Sequence, residues 1–184
     1  MFFSRQSFLL FFIAFLLLAT YERVISTFFQ RKAKSTQAIY YKWLYTTLFF
    51  SYIALIIFCI WEYFLRDDRI NLLVSLSGFL LYFLGMSLRR SAIRDLGGNW
   101  SNFTEIKNGH ELVTRGIYSY LRHPYYLAVI FELVGVSLIA NSYAILTLVF
   151  LIQVPLLWIR AKLEDGILDK HFGEAYKRYK NKEA

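Results

Sequence analysis

Three apolar runs, a long polar interval and a final apolar block set out the plan of this chain. The first run, 7–29, opens as SFLLFFIAFLLLAT without a charge and meets Glu22 and Arg23 only near its end. The second covers 43–65 and the third 70–88. The interval 89–123 carries too many charges to cross a bilayer. The block 124–159 is then apolar throughout, with Asn141 and Ser142 interrupting it near the middle. A helix needs about 20 mainly apolar residues to cross the hydrocarbon core. Each of the first three runs therefore predicts one span. The last block predicts two, joined by a tight turn into a helical hairpin. Glu22 and Arg23 are expected near the membrane interface. A cleaved signal peptide is the rival reading of the first run, but no small-x-small site follows it. Beyond 159, apolar Leu163, Ile167, Leu168 and Phe172 recur at helical spacing against a charged face, which predicts an amphipathic C-terminal helix. The predicted fold class is an all-α integral membrane protein of about five transmembrane helices, with one long polar loop and that C-terminal helix.

Composition agrees with this plan. Of 184 residues, 57% are hydrophobic and 18% charged, more apolar and less charged than a soluble domain. Two prolines and nine glycines favour long uninterrupted helices. The net charge of +8 is spread between apolar spans rather than gathered in one patch, so it points to a membrane surface and away from nucleic acid. Its distribution orients the chain. Arg31, Lys32, Lys34 and Lys42 follow the first span; Arg89, Arg90, Arg94, Lys107, Arg115 and Arg122 follow the third; the tail from Arg160 to Lys182 is also basic. The opposite side has only Arg5, Arg66 and Arg69. Basic residues concentrate on the cytoplasmic face, so the N-terminus is expected outside and the tail in the cytosol. Cys59 stands alone in an apolar run and reads as a packed helix residue.

Two polar segments could carry chemistry. In HELVTRGIYSYLRHPYY, 110–126, Gly116 permits a close backbone approach or a positive φ, and Pro124 fits the first turn of the fourth span. His123 is then held off helical geometry at the mouth of that helix, where an anionic group is favoured. The same pattern also suits an interfacial anchor. In RAKLEDGILDKHFGEAYKRY, 160–179, Arg160 and Glu164 share one helix face. Arg160 can hold a carboxylate or phosphate, and Glu164 a cation or hydroxyl; equally, the two can form a simple ion pair. Glu132 lies deep in the fourth span, where an ionisable residue marks a functional site or a buried hydrogen bond. In the fifth span Pro155 is expected to kink the helix and Gln153 to satisfy freed backbone groups. No metal-ligand spacing, P-loop or GxGxxG occurs.

These residues resemble a known family. His110-Glu111-Leu112-Val113-Thr114-Arg115-Gly116-Ile117-Tyr118, then Arg122-His123-Pro124 and Tyr126, look like the signature of the isoprenylcysteine carboxyl methyltransferases. The tail is similar too, through Arg160, Glu164-Asp165, Leu168, Phe172-Gly173, Tyr176 and Tyr179, as is the upstream block Gly97-Gly98-Asn99-Trp100-Ser101. The likeness covers roughly 94–180. It implies methyl transfer from S-adenosylmethionine, with no soluble nucleotide-binding domain, to a lipophilic or prenylated acceptor bearing a carboxylate or hydroxyl. By position it implies that His110, Glu111, Leu112, Val113, Tyr118, His123, Pro124, Tyr125, Tyr126 and Glu164 bind the cofactor. Arg160 and Glu164 are the expected catalytic residues, and Arg160 is expected to face the acceptor. Glu132 is added as a candidate acceptor-binding residue because of its depth. One departure is Asp165, where the family has a second glutamate. The resemblance divides one integrated domain into a lipid-facing part, 1–93, and a cofactor-binding part, 94–184. Spans one to three match only in hydrophobicity and show no pattern of a specific pocket. A nicotinamide-dependent (NADPH) membrane reductase and a non-catalytic protein of the same fold are the alternatives.

Overall fold

The computed structural model describes residues 5–28, 41–65, 70–101 and 109–182. Arg31, Lys32, Lys34, Arg66, Arg69 and Lys107, on which part of the orientation argument rests, lie outside them. The described residues form seven α-helices: α1 (Arg5–Phe28), α2 (Lys42–Leu65), α3 (Leu72–Leu96), α4 (Pro124–Ile139), α5 (Tyr143–Leu148), α6 (Val154–Phe172) and α7 (Glu174–Lys182). A π-helical turn, Val149–Gln153, joins α5 to α6, so that Tyr143–Phe172 runs as one rod. Among the described residues, four helices are long and apolar enough to cross a membrane: Gln6–Thr27, Lys42–Leu65, Leu72–Asn99 and Tyr143–Phe172. The apolar α4 is shorter, at 16 residues.

The hairpin within 124–159 is present. Asn141 takes a left-handed φ of 55° between α4 and α5, a conformation asparagine tolerates better than most side chains. Its amide anchors the turn on α3: Oδ1 accepts from the Asn71 N–H at 2.9 Å, and Nδ2 donates to Ser75 Oγ at 2.8 Å. Asn71 in turn caps α3 by accepting from the Leu73 and Val74 N–H groups.

Helices α3 and α4 form the most extensive pair. Gly78 and Gly85 on α3 face Gly135 and Ala128 on α4. A Cβ at Gly78 would lie 2.6 Å from the Ile139 nitrogen, and one at Gly135 would lie 2.8 Å from the Gly78 oxygen. In a bilayer the hydrophobic effect does not drive helices together, so this close backbone approach supplies the contact.

Helix α3 extends to Leu96, eight residues past the end that the charge pattern predicts. Arg89 is fully buried there because other helices neutralise it. Its Nε donates to Glu132 Oε1 of α4 at 2.7 Å, and Nη2 donates to Glu22 of α1. Glu22 also accepts from Arg90, and Arg23 donates to Glu132. Glu22 and Arg23 are therefore members of an interhelical ionic cluster rather than plain interfacial residues.

In the last rod, the π turn ends at Gln153, two residues before Pro155. Proline has no N–H to return to Leu151, and the wider turn accommodates that loss. Gln153 bonds across to α2 instead of filling the backbone, accepting from Ser51 Oγ at 2.8 Å.

Candidate functional site

The polar interval folds around Gly116. With φ at 62°, it lets the chain turn so closely over α3 that a Cβ would lie 2.1 Å from Asp95 Oδ2. That carboxylate accepts from the Ile117 N–H at 2.9 Å and starts the short 3-10 turn Gly116–Ser119. Both uses foreseen for Gly116 occur together. Asp95 itself is not marked by any sequence pattern, because its partner is a backbone N–H twenty-two positions away. Asn99 holds the preceding stretch by donating to the Glu111 carbonyl at 3.3 Å. From the C-terminal side, the Tyr179 hydroxyl donates to the Tyr118 carbonyl at 2.6 Å.

At the mouth of α4, His123 has φ −124° and ψ 57°, off helical geometry as a residue before proline should be. Its Nε2 lies 2.8 Å from Asp165 Oδ1, which also accepts from the Tyr176 hydroxyl at 2.6 Å. Arg122 sits 3.6 Å from the other Asp165 oxygen. Burial, reinforced by the adjacent Asp165 carboxylate, raises the Tyr176 phenol well above its ordinary pKa and keeps it a donor. Burial and Glu164 do the same to Tyr118.

Tyr126 stands between the residues expected to act together. Its ring stacks on His123, with centroids 5.3 Å apart at 9°. Its hydroxyl donates to Glu164. The Arg160 guanidinium lies 5.4 Å from the Tyr126 ring centroid and 5.9 Å from that of Tyr45 on α2. Beyond a shared helix face, then, Arg160 and Glu164 both engage Tyr126, Glu164 at its hydroxyl and Arg160 at both ring and hydroxyl.

Two cavities meet here. The first, polar in part, is lined by His110, Glu111, Leu112, Val113, Tyr118, His123, Tyr125, Tyr126, Arg160 and Glu164. Asn99 and Trp100, just beyond α3, also line it, as do Ile167, Leu168 and Tyr176. Pro124 does not line it; the ring is buried in the first turn of α4 and shapes the helix start. Glu132 lies apart from both cavities, fully buried between Arg89 and Arg23, so its carboxylate is committed to holding α1, α3 and α4 together. The second cavity is mainly apolar and lies among α1, α2, α3, α4 and α6, with Leu16, Leu48, Ile53, Val129 and Leu157 in its wall. Spans one to three thus do build a pocket. It is assembled from residues on separate helices, and no single segment displays it. Tyr125, Tyr126 and Arg160 belong to both cavities.

A helical membrane protein whose polar cavity abuts an intramembrane apolar one, at the mouth of a helical hairpin, is the class that fold and site define. The profile of the isoprenylcysteine carboxyl methyltransferase family matches residues 78–170, and the chain belongs to that family. It is 33% identical over 110 residues to protein-S-isoprenylcysteine O-methyltransferase of Schizosaccharomyces pombe, covering 59% of this chain and 46% of that protein. To the human protein of the same name it is 30% identical over 117 residues, covering 59% and 39%. The matches thus span less than half the length of these two relatives. The solved structure of a eukaryotic intramembrane Ras methyltransferase, itself an isoprenylcysteine carboxyl methyltransferase, shares the fold with a TM-score of 0.69 at 24% identity, covering 97% of this chain and 65% of that one.

Proposed function

We propose that this chain transfers a methyl group from S-adenosylmethionine to the carboxylate of a lipophilic acceptor, of the isoprenylcysteine type or a related lipid acid. The observation that carries this reading is the shared wall of Tyr125, Tyr126 and Arg160 between a polar and an apolar cavity. A charged, water-soluble donor and a lipid acceptor need separate entrances and one meeting point, and these three residues mark that point.

The polar cavity suits the donor by its chemistry. Glu164 offers a carboxylate to an ammonium or to ribose hydroxyls, while Trp100, Tyr118 and Tyr125 offer aromatic faces. Bound there, S-adenosylmethionine supplies an electrophilic methyl group on a sulfonium. The chain's own residues do the rest. Arg160 orients an acceptor carboxylate, which is already anionic at neutral pH and needs no base. Tyr126, held between His123 and Glu164, fixes the boundary against which both substrates are aligned; such alignment is a large part of rate enhancement in a two-substrate reaction. Helix α7 covers the polar cavity through Tyr176 and Tyr179 and limits water. On this reading 1–93 forms most of the acceptor chamber and 94–184 most of the donor site within one domain. The distribution of basic residues along the sequence supports a cytosolic donor site and tail with the N-terminus outside.

The test is calorimetric titration of the detergent-purified protein with S-adenosylhomocysteine and, separately, NADPH, followed by methyl transfer to a farnesylated cysteine acid. Binding of S-adenosylhomocysteine with methyl ester formation is the expected result. Binding of NADPH alone, or of neither, overturns the reading.

A further inference from the structure

Arg160 is held from two helices besides its own. Its guanidinium lies 5.4 Å from the ring centroid of Tyr126 on α4 and 5.9 Å from that of Tyr45 on α2. Tyr126 belongs to both cavities, as Arg160 does, whereas Tyr45 lines the apolar one alone. Tyr45 therefore reaches Arg160 from the side at which a lipid arrives.

Tyr45 stands in the first turn of α2, at the end of a span, where tyrosine and tryptophan commonly face the lipid headgroups. Tyr41 and Trp43 fit that role, at 40% and 60% exposure. Tyr45 is turned inward instead. It is half-buried, and its ring stacks on Phe49 one turn further along, with centroids 6.3 Å apart at 23°. Two turns along the same face, Tyr52 has the Arg23 guanidinium 4.4 Å from its own ring centroid. Helix α2 thus presents one ring to each of the two arginines that line the apolar cavity.

Arginine ends a long side chain with several rotors, and its best bond to a carboxylate is directional, two parallel N–H contacts in one plane. A ring can fix the guanidinium by cation–π attraction, which strengthens where water is excluded, and Arg160 is only 9% exposed. A carboxylate in the place of Tyr45 would also fix it, but would take up the donors and the charge that an acidic acceptor needs. We propose that Tyr45 is a positioning residue for Arg160, orienting its fork toward a carboxylate held at the end of the apolar cavity. This rests on the methyltransferase reading for the acceptor at Arg160. Tyr45 lies outside residues 78–170, which the family profile matches. The second span then helps to orient the reacting group as well as to house its chain.

The test measures the preference for acid over ester, which reads the hold of Arg160 on a carboxylate. Farnesylated cysteine acid and its methyl ester each compete with the radiolabelled ester on the whole chain in detergent, without donor. The wild type should bind the acid about tenfold more tightly, the effect of one charge-assisted hydrogen bond. Tyr45→Leu, which removes the aromatic face, should cut that preference severalfold while ester affinity holds. Tyr45→Phe, which keeps the ring, should restore it to within about twofold of the wild type. Equal acid and ester affinities in the wild type, or a preference unchanged in Tyr45→Leu, would overturn the assignment. So would acid and ester weakened alike in Tyr45→Leu, the mark of a mere wall residue, or Tyr45→Phe as impaired as Tyr45→Leu. Should Tyr45→Leu fail to fold, Tyr45→Met takes its place with the same expectations. Methyl transfer is read separately: in Tyr45→Leu kcat should fall severalfold at unchanged S-adenosylhomocysteine affinity, and an unchanged kcat would overturn the positioning role. An acid preference that depends on Tyr45, without methyl transfer by the wild type, supports the hold on Arg160 and overturns the methyltransferase reading.

Discussion

His123 and Asp165 face each other with Nε2 and Oδ1 2.8 Å apart, joining the mouth of α4 to the middle of α6. The same Asp165 oxygen accepts from Tyr176, so one carboxylate ties the hairpin to the C-terminal helix as well. Asp165 therefore sets the orientation of the His123 ring, which in turn stacks on Tyr126. Asp165→Asn keeps the shape but weakens both bonds. It should lower S-adenosylhomocysteine affinity by about 1–2 kcal/mol while the helical content is retained, in line with the loss of a charge-assisted hydrogen bond. Parallel calorimetry and circular dichroism check this. Unchanged affinity would show that the ring is held without Asp165.

Glu164 and Arg160 should fail in different ways, because Glu164 lines the polar cavity alone whereas Arg160 lines both cavities. Glu164→Gln removes charge from the polar cavity and should cost about 1.5–3 kcal/mol of S-adenosylhomocysteine affinity. Arg160→Lys keeps charge but loses the planar fork that suits a carboxylate. Its S-adenosylhomocysteine affinity should hold while turnover with an acidic acceptor falls. Side-by-side affinity and methyl-transfer measurements decide the matter. Small and equal effects would return the pair to a surface ion pair.

Two glycines offer a paired control. Gly116→Ala places a methyl group where Asp95 already stands, at a φ of 62° that disfavours side chains. Backbone strain alone should cost about 1–3 kcal/mol, and the clash adds to it. Gly166→Ala, on α6 with nothing within 4 Å of its added Cβ, should be neutral or stabilising by up to about 1 kcal/mol. Thermal unfolding of the two variants in the same detergent reads the contrast. Similar stabilities would contradict the close Gly116–Asp95 approach.

Arg89 lies at the centre of a buried ionic cluster whose members depend on one another. Arg89→Ala leaves Glu132 with Arg23 as its remaining partner in the cluster and should cost about 3–5 kcal/mol, the range for breaking a buried pair. Arg89→Met combined with Glu132→Gln removes both charges and should be markedly less harmful than Arg89→Ala. Unfolding midpoints of the single and double variants form the measurement. Additive losses would mean that the two residues act separately.

The chain's own pattern determined the all-helical membrane plan, the hairpin turn at Asn141 and the uses of Gly116, because hydrophobic runs, helix breakers and positive-φ residues act locally. Ten of the expected site residues meet in one cavity: those at the hairpin mouth and on α6 by their spacing, and those of 110–118 because Asp95, Asn99 and Tyr179 fold that segment over them. Pro124 and Glu132 are the exceptions: a buried helix start and a buried ion cluster look like site residues when only type and depth are known. What tertiary structure alone decided depends on partners distant in sequence. Arg89 reads as the end of a span until Glu22 and Glu132 neutralise it, and α3 then continues to Leu96. Asp95 is an ordinary surface acid until Gly116 folds over it. The apolar cavity exists only between five helices, each unremarkable by itself. Local periodicity marks which faces must be buried, whereas what each charge meets inside is set by how the helices pack.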